Sequence, residues 1–203
     1  MSAKENLSDR ELLQSMQAGD ESAFALLYHR RQGGIYRFAL QMCGSQAMAE
    51  DVTQEVFLVL IRESEAFDPA RGSLSAFLYG IARNQLLRRF QRERYFVPLE
   101  AGAGDDDAPT NTISGPLEDL SRNETIVAVR RAILTLPDHY REVIVLCELE
   151  EMSYVETAEI LGCAVGTVRS RLHRARALLI EKLQPANKEE AASTEVKTAR
   201  CFA

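Results

Sequence analysis

The sequence has no tryptophan, four cysteines and three histidines in 203 residues. Its longest apolar run, Val56-Phe57-Leu58-Val59-Leu60-Ile61, is far short of the roughly 18 residues that a membrane-spanning helix needs. The start, Met1-Ser2-Ala3-Lys4-Glu5-Asn6, has no apolar core of the kind a secretion signal carries, so a cytoplasmic protein is expected. Cys43, Cys147, Cys163 and Cys201 form no CxxC pair, and no histidine stands at zinc-ligand spacing. Neither a disulfide framework nor a metal site is indicated, and Cys43, Cys147 and Cys163 are expected to be reduced and buried. A Ser-His-Asp set, a glycine-rich phosphate loop and a clustered carboxylate pair are equally missing, which argues against an enzyme and against any cofactor. Strand-like alternation is scarce, while Leu, Ala, Glu, Gln and Arg abound, so an all-α fold is expected.

The net charge of −6 speaks at first against nucleic acid as a partner, but its distribution reverses that reading. Residues 1–97 carry 12 basic and 12 acidic side chains, and residues 122–183 carry 9 of each. The acidic excess sits between them, in Glu100, Asp105, Asp106, Asp107, Glu118 and Asp119, where no Lys or Arg occurs. Each neutral half ends in a basic stretch: Arg83, Arg88, Arg89, Arg92 and Arg94 in the first, Arg169, Arg171, Arg174, Arg176 and Lys182 in the second.

The acidic segment also collects Gly, Pro, Thr, Asn and Ser and lacks helical periodicity. We expect two small helical domains, residues 1–97 and 122–183, joined by a flexible acidic linker over 98–121 and followed by a disordered tail over 184–203. In the first domain Ser8 and Glu11 form a capping box for a helix to about Ala18, and Asp20 caps a second through about Met42 with a break or kink at Gly33-Gly34. A third covers about Ala47–Glu65, and a fourth runs from Ser73 or Ser75 to about Arg94. In the second domain, helices are expected over about Arg122–Thr135 and Pro137–Leu149, followed by two shorter elements.

The stretch from Ser153 to Lys182 has the layout of a helix-turn-helix. Ser153 and Glu156 supply a capping box, Val155, Ala158, Ile160 and Leu161 point inward, and Gly162 supplies the left-handed turn residue. At 100° per residue, Val168, Leu172, Ala175 and Leu179 form one narrow apolar stripe on the second helix. The opposite arc holds Arg169, Ser170, His173, Arg174 and Arg176, with Thr167 at the helix start. Arginine can bind a guanine edge or a phosphate in two places, so such a face suits a major groove.

These residues carry a resemblance. Leu161 to Arg176, with the lead-in Leu136 to Val143, resembles the region 4 helix-turn-helix of extracytoplasmic-function (ECF) sigma factors. Ala49 to Leu58 resembles region 2.2 of the same family, and Phe77 to Asn84 its region 2.3 running into 2.4. The resemblance implies a sigma factor that binds core RNA polymerase and directs promoter-specific initiation. Region 4 would read the −35 element through Thr167, Arg169, Ser170, His173, Arg174 and Arg176. The loop Arg71 to Ser75 and the fourth helix would hold the melted −10 strand, with Ser73, Asn84, Arg83, Arg88, Arg89 and Arg92 as contacts. Asp51, Gln54, Glu55 and Leu58 would meet the clamp helices of the polymerase beta-prime subunit, and region 4 the beta flap. An anti-sigma factor is implied as a further partner. Against the family pattern, Phe77 stands where many relatives have tryptophan, and Ala164 where Pro or Ser is frequent.

The residues themselves fit this scheme. On the third helix Val52, Val56 and Val59 can face a core while Leu58 and Ile61 share the other side with Asp51, Gln54 and Glu55, which suits a partner with basic residues. The fourth helix mixes Phe77, Tyr79 and Phe90 with arginines, the combination single-stranded DNA requires, although Phe77 and Tyr79 also read as core. A conventional helix-turn-helix regulator, with an N-terminal sensing or dimerisation domain, is the alternative.

Overall fold

The computed structural model describes residues 6–70, 72–96 and 117–199. All regular structure among them is helical, in the order α1 (Asp9–Gln17), α2 (Glu21–Cys43), α3 (Gln46–Arg62), α4 (Leu74–Phe96), α5 (Leu117–Leu134), α6 (Asp138–Ile144), α7 (Tyr154–Leu161) and α8 (Val165–Ala199). A short 3-10 turn, Ser64–Ala66, follows α3, and a π-type turn, Val145–Leu149, extends α6.

The helix starts are set by side chains that satisfy the otherwise unpaired first amides. Ser8 and Glu11 close the expected box on α1, Asp20 accepts from the amides of Ser22 and Ala23 on α2, and Ser45 accepts from Met48 on α3. Gly44 ends α2 in the left-handed region at φ 72°, where a side chain would be strained.

α2, α3 and α4 pack against one another, with α1 across α2, around Leu12, Leu27, Phe38, Val52, Leu60 and Leu78, all essentially removed from water. Each such side chain contributes about 1.5–3 kcal/mol through burial. In the second half α8 lies against α6, α7 and α5, and Val168, Leu172 and Ala175 insert into that core as the stripe requires. The two cores meet, because α4 packs on α7 and α2 on α5 and α6.

Several expectations need correction. α2 passes Gly33-Gly34 without a break; a Cβ at Gly34 would lie 2.7 Å from Tyr79 Oη and 3.2 Å from Glu150 Oε2, so glycine serves a close approach there. Val155 is 58% exposed, because the inward stripe of α7 runs through Thr157, Ala158 and Leu161 at helical spacing and leaves Val155 outside it. Cys43, Cys147 and Cys163 are half-buried, at the edges of the helices.

The boundaries also shift. The linker expected over 98–121 lies outside the described residues through 116, and α5 begins at Leu117. α8 continues to Ala199, past Pro185, where a disordered tail was expected; the Glu, Lys and Ala of that stretch are strong helix formers, and proline removes one amide donor. Arg71, the side chain of Arg94 and Cys201 lie outside the described set.

Candidate nucleic-acid and polymerase interfaces

The helix-turn-helix is built as its caps demand. The Ser153 hydroxyl accepts from the Glu156 amide while the Glu156 carboxylate accepts from the Ser153 amide, and Gly162 closes α7 at φ 63°. Glu159, Ala158 and the residues after Gly162 complete a tight turn, with Cys163 N donating to Ala158 O at 3.0 Å, so that α8 leaves at a fixed angle. Arg169, Ser170, His173, Arg174 and Arg176 are all exposed on its outer face, and Thr167 is partly exposed.

Two of these arginines have partners that sequence reading missed. The Arg169 guanidinium lies 5.9 Å from the centre of the Tyr154 ring, a cation–π distance. Arg176 pairs with Glu148 on the π-type turn, Nε to Oε1 at 3.2 Å. The hydrogen bond and charge of Glu148 hold the Arg176 guanidinium more firmly protonated than usual. Ser170 Oγ donates to Thr167 O at 3.0 Å. The local signal for Tyr154 was its place directly after the Ser153 cap, at the start of α7.

On α3, Val52 and Val56 are buried, whereas Leu58 and Ile61 are 43% and 51% exposed beside Asp51, Gln54 and Glu55. The expected apolar, acid-edged face is therefore present. Asp51 also meets Arg89 of α4 at 3.2 Å, which joins this face to the basic one.

A cleft of about 400 Å³ opens beside α4, lined by Phe67, Asp68, Gly72, Ser73, Phe77 and Asn84 from the first half. Phe77 is half-buried and its ring lies 5.5 Å from that of Phe67, while Tyr79 is buried edge-on to Phe38 at 5.4 Å. Tyr79 is thus core and Phe77 is cleft wall. Asn84 and Arg88 are exposed, as is Arg92, and Arg89 is partly so.

Arg83 does not project freely. Its Nε donates to Glu142 Oε1 at 2.7 Å and its second nitrogen to Oε2 at 3.4 Å, across 59 residues of sequence. Further carboxylates of the C-terminal half face the seam, where Arg141 of α6 also donates through Nη1 to Met42 O at 2.6 Å. Glu150 accepts from Tyr79 Oη at 2.7 Å and faces Arg37 at 3.4 Å, and Glu156 Oε1 accepts from Ser73 Oγ at 2.8 Å. Glu159 and Ile160 form the far wall of the cleft. Burial, with the adjacent Glu150 carboxylate, pushes the Tyr79 hydroxyl far above its ordinary value and keeps it a donor. At Glu156 burial acts upward, but hydrogen bonds from Ser153 and Ser73 outweigh it and hold the carboxyl below the usual range. No local pattern announced these partners, which are brought together only by the packing of the halves.

Residues 27–95 match the family described as sigma-70 region 2, and residues 126–179 match sigma-70 region 4. The fold and these two matches define a sigma-70-type transcription initiation protein carrying both DNA-reading regions. The chain is 31% identical over 181 residues to the ECF RNA polymerase sigma factor SigW of Bacillus subtilis, covering 86% of this chain and 96% of the relative. Among solved structures, CnrH in complex with the cytosolic domain of CnrY aligns at TM-score 0.65 and 26% identity, over 87% of this chain and 97% of that one. The sigma factor RpoE of Bartonella quintana, in complex with the anti-sigma factor NepR, aligns at TM-score 0.57 and 26% identity, over 75% and 91%. This chain belongs to the ECF sigma factors, which direct promoter-specific transcription initiation by RNA polymerase. The conventional-regulator alternative is not favoured, since regions 2 and 4 follow one another in a single chain. Among the described residues no helix is long and apolar enough to cross a membrane.

Proposed function

We propose a division of labour among three surfaces. α8 enters the major groove of the −35 element with Thr167, Arg169, Ser170, His173, Arg174 and Arg176 facing bases and phosphates. The cleft beside α4 receives an unstacked base of the −10 strand, with Ser73 and Asn84 at its edge and Arg83, Arg88, Arg89 and Arg92 along the backbone path. Asp51, Gln54, Glu55 and Leu58 dock on the beta-prime clamp helices, and region 4 seats on the beta flap. The chemistry of RNA synthesis belongs to the polymerase, so the protein acts as a non-enzymatic specificity subunit in the cytoplasm. An anti-sigma factor is the further partner, supported by the two similar structures, one described as bound to an anti-sigma factor and the other to a cytosolic domain.

The observation that carries this reading is the uncovered Leu58 and Ile61 pair edged by acid on α3, a surface that a DNA-binding regulator acting alone has no need of. Pull-down with core polymerase, followed by run-off transcription on a pool of the host's upstream fragments, tests it. Binding with discrete new transcripts is the expected result. The double variant Asp51→Arg, Glu55→Arg should abolish transcription while −35 DNA is still bound; unchanged transcription would overturn the docking assignment.

A further inference from the structure

Arg169 and Arg176 stand about two turns apart on α8, on one side of the helix. Each meets a residue from the elements that precede α8. The Tyr154 ring centre lies 5.9 Å from the Arg169 guanidinium, and Glu148 Oε1 accepts from Arg176 Nε at 3.2 Å and also from Arg176 Nη2. The Arg176 guanidinium is held protonated first by Glu148 and, to a lesser degree, by the Tyr154 hydroxyl, so Tyr154 acts on both arginines. These supports are anchored from below. Glu148 stands on the π-type turn, whose Val145 and Leu146 are fully buried, and Glu150 N donates to Val145 O at 3.0 Å. The residue before it, Cys147, has its Sγ 3.4 Å from the hydroxyl of the buried Thr157 on α7. The bracing carboxylate is therefore carried by a fixed backbone.

The Arg176 and Glu148 side chains are 54% and 41% exposed. An ion pair in that much water adds little to stability, and an acid beside a DNA-binding face repels phosphate. Stability alone gives little reason for the pair, whereas its geometry gives one. Nε and Nη2 share one edge of the guanidinium, and Glu148 occupies that edge. The Nη1 donors and the second Nη2 hydrogen form the fork left for a ligand. We propose that Glu148 is a positioning residue for −35 recognition, fixing Arg176 so that this outer fork meets a paired acceptor on the duplex, a guanine edge or a phosphate. The inference rests on the reading of α8 as the −35 helix and adds to it a residue outside that helix. A side chain ordered before DNA arrives loses less rotamer freedom on binding. Arg174, exposed on the same helix, has no carboxylate partner among the described residues, so the brace is particular to Arg176.

Removing an acid near DNA tightens binding through charge alone, so a bystander carboxylate and a positioning one differ in the sign of their effect. The test uses the full chain assembled with core polymerase, titrated at fixed salt. Its probes are a promoter fragment recovered from the run-off pool and the same fragment with its upstream half replaced by random sequence. Glu148→Ala should weaken binding of the promoter fragment about tenfold and should add nothing to Arg176→Ala in the double variant. Weakening confined to the native fragment marks a base contact, and equal weakening of both fragments marks a phosphate. Glu151→Gln, which removes the same charge from an exposed neighbour, should leave the affinity at or above that of wild type. Binding by Glu148→Ala as tight as wild type or tighter overturns the proposal, as does a loss shared by Glu151→Gln or one that adds in full to that of Arg176→Ala. Should circular dichroism show the alanine variant misfolded, Glu148→Ser serves with the same criteria. Wild type that shows no preference for the recovered fragment defeats the −35 reading itself; promoter binding untouched by Glu148→Ala defeats this inference alone.

Discussion

The two basic stretches carry the same local charge and have opposite fates. On α8 the arginines stand on the outer face of a helix held by one apolar stripe, with Tyr154 and Glu148 beside them. On α4 the stretch is divided: Arg83 is turned into the seam against Glu142, and Arg88 and Arg92 remain in water. A cluster of like charges therefore says where nucleic acid could bind, but the packing decides which of its members are available.

The sharpest way to break the comparison is to truncate one arginine of each kind. Arg83→Ala leaves the Glu142 carboxylate without its cation, and urea unfolding should register a loss of about 2–3 kcal/mol, limited because Arg83 is itself partly exposed. Arg88→Ala, on an exposed position, should stay within about 0.5 kcal/mol of the wild type. Arg169→Ala should leave stability nearly unchanged but weaken −35 duplex binding by about 1–3 kcal/mol in a gel-shift titration. Ser153→Ala removes the α7 cap and should cost about 1 kcal/mol, read as a lowered midpoint in thermal unfolding. The smallest effect concerns pH. Because Glu156 is held below its ordinary value in the folded protein, its contribution is complete above the normal glutamate range around 4.5 and is lost as pH falls through the lower, folded value. Unfolding midpoints followed from neutral to acid should therefore fall more steeply below that range for wild type than for Glu156→Gln.

What the sequence disclosed follows the same division between local and distant causes. Ser8 with Glu11, Asp20, and Ser153 with Glu156 act within one helical turn, so their helices could be placed from spacing alone. The apolar stripe Val168, Leu172, Ala175 was equally legible because a helix repeats its faces regularly. The pairing of Arg83 with Glu142 depends on how two halves dock, and nothing within a turn of either residue encodes it. Val155 misled because an apolar residue in the first turn of α7 lies just off the buried stripe. The recognition helix was thus readable as a face, whereas the α4 cleft was readable only for the half that its own domain contributes.

Glu156 divides its duties between its two oxygens. Oε2 accepts from the amide and hydroxyl of Ser153, and Oε1 accepts from Ser73 across the seam. Ser73 is split in the same manner: its oxygen accepts from the Ala76 amide while its proton goes to Glu156. The bond across the seam is made from valences left over once each helix has been capped. Each cap is therefore complete without the bond between them, and the tie across the seam draws on neither helix end.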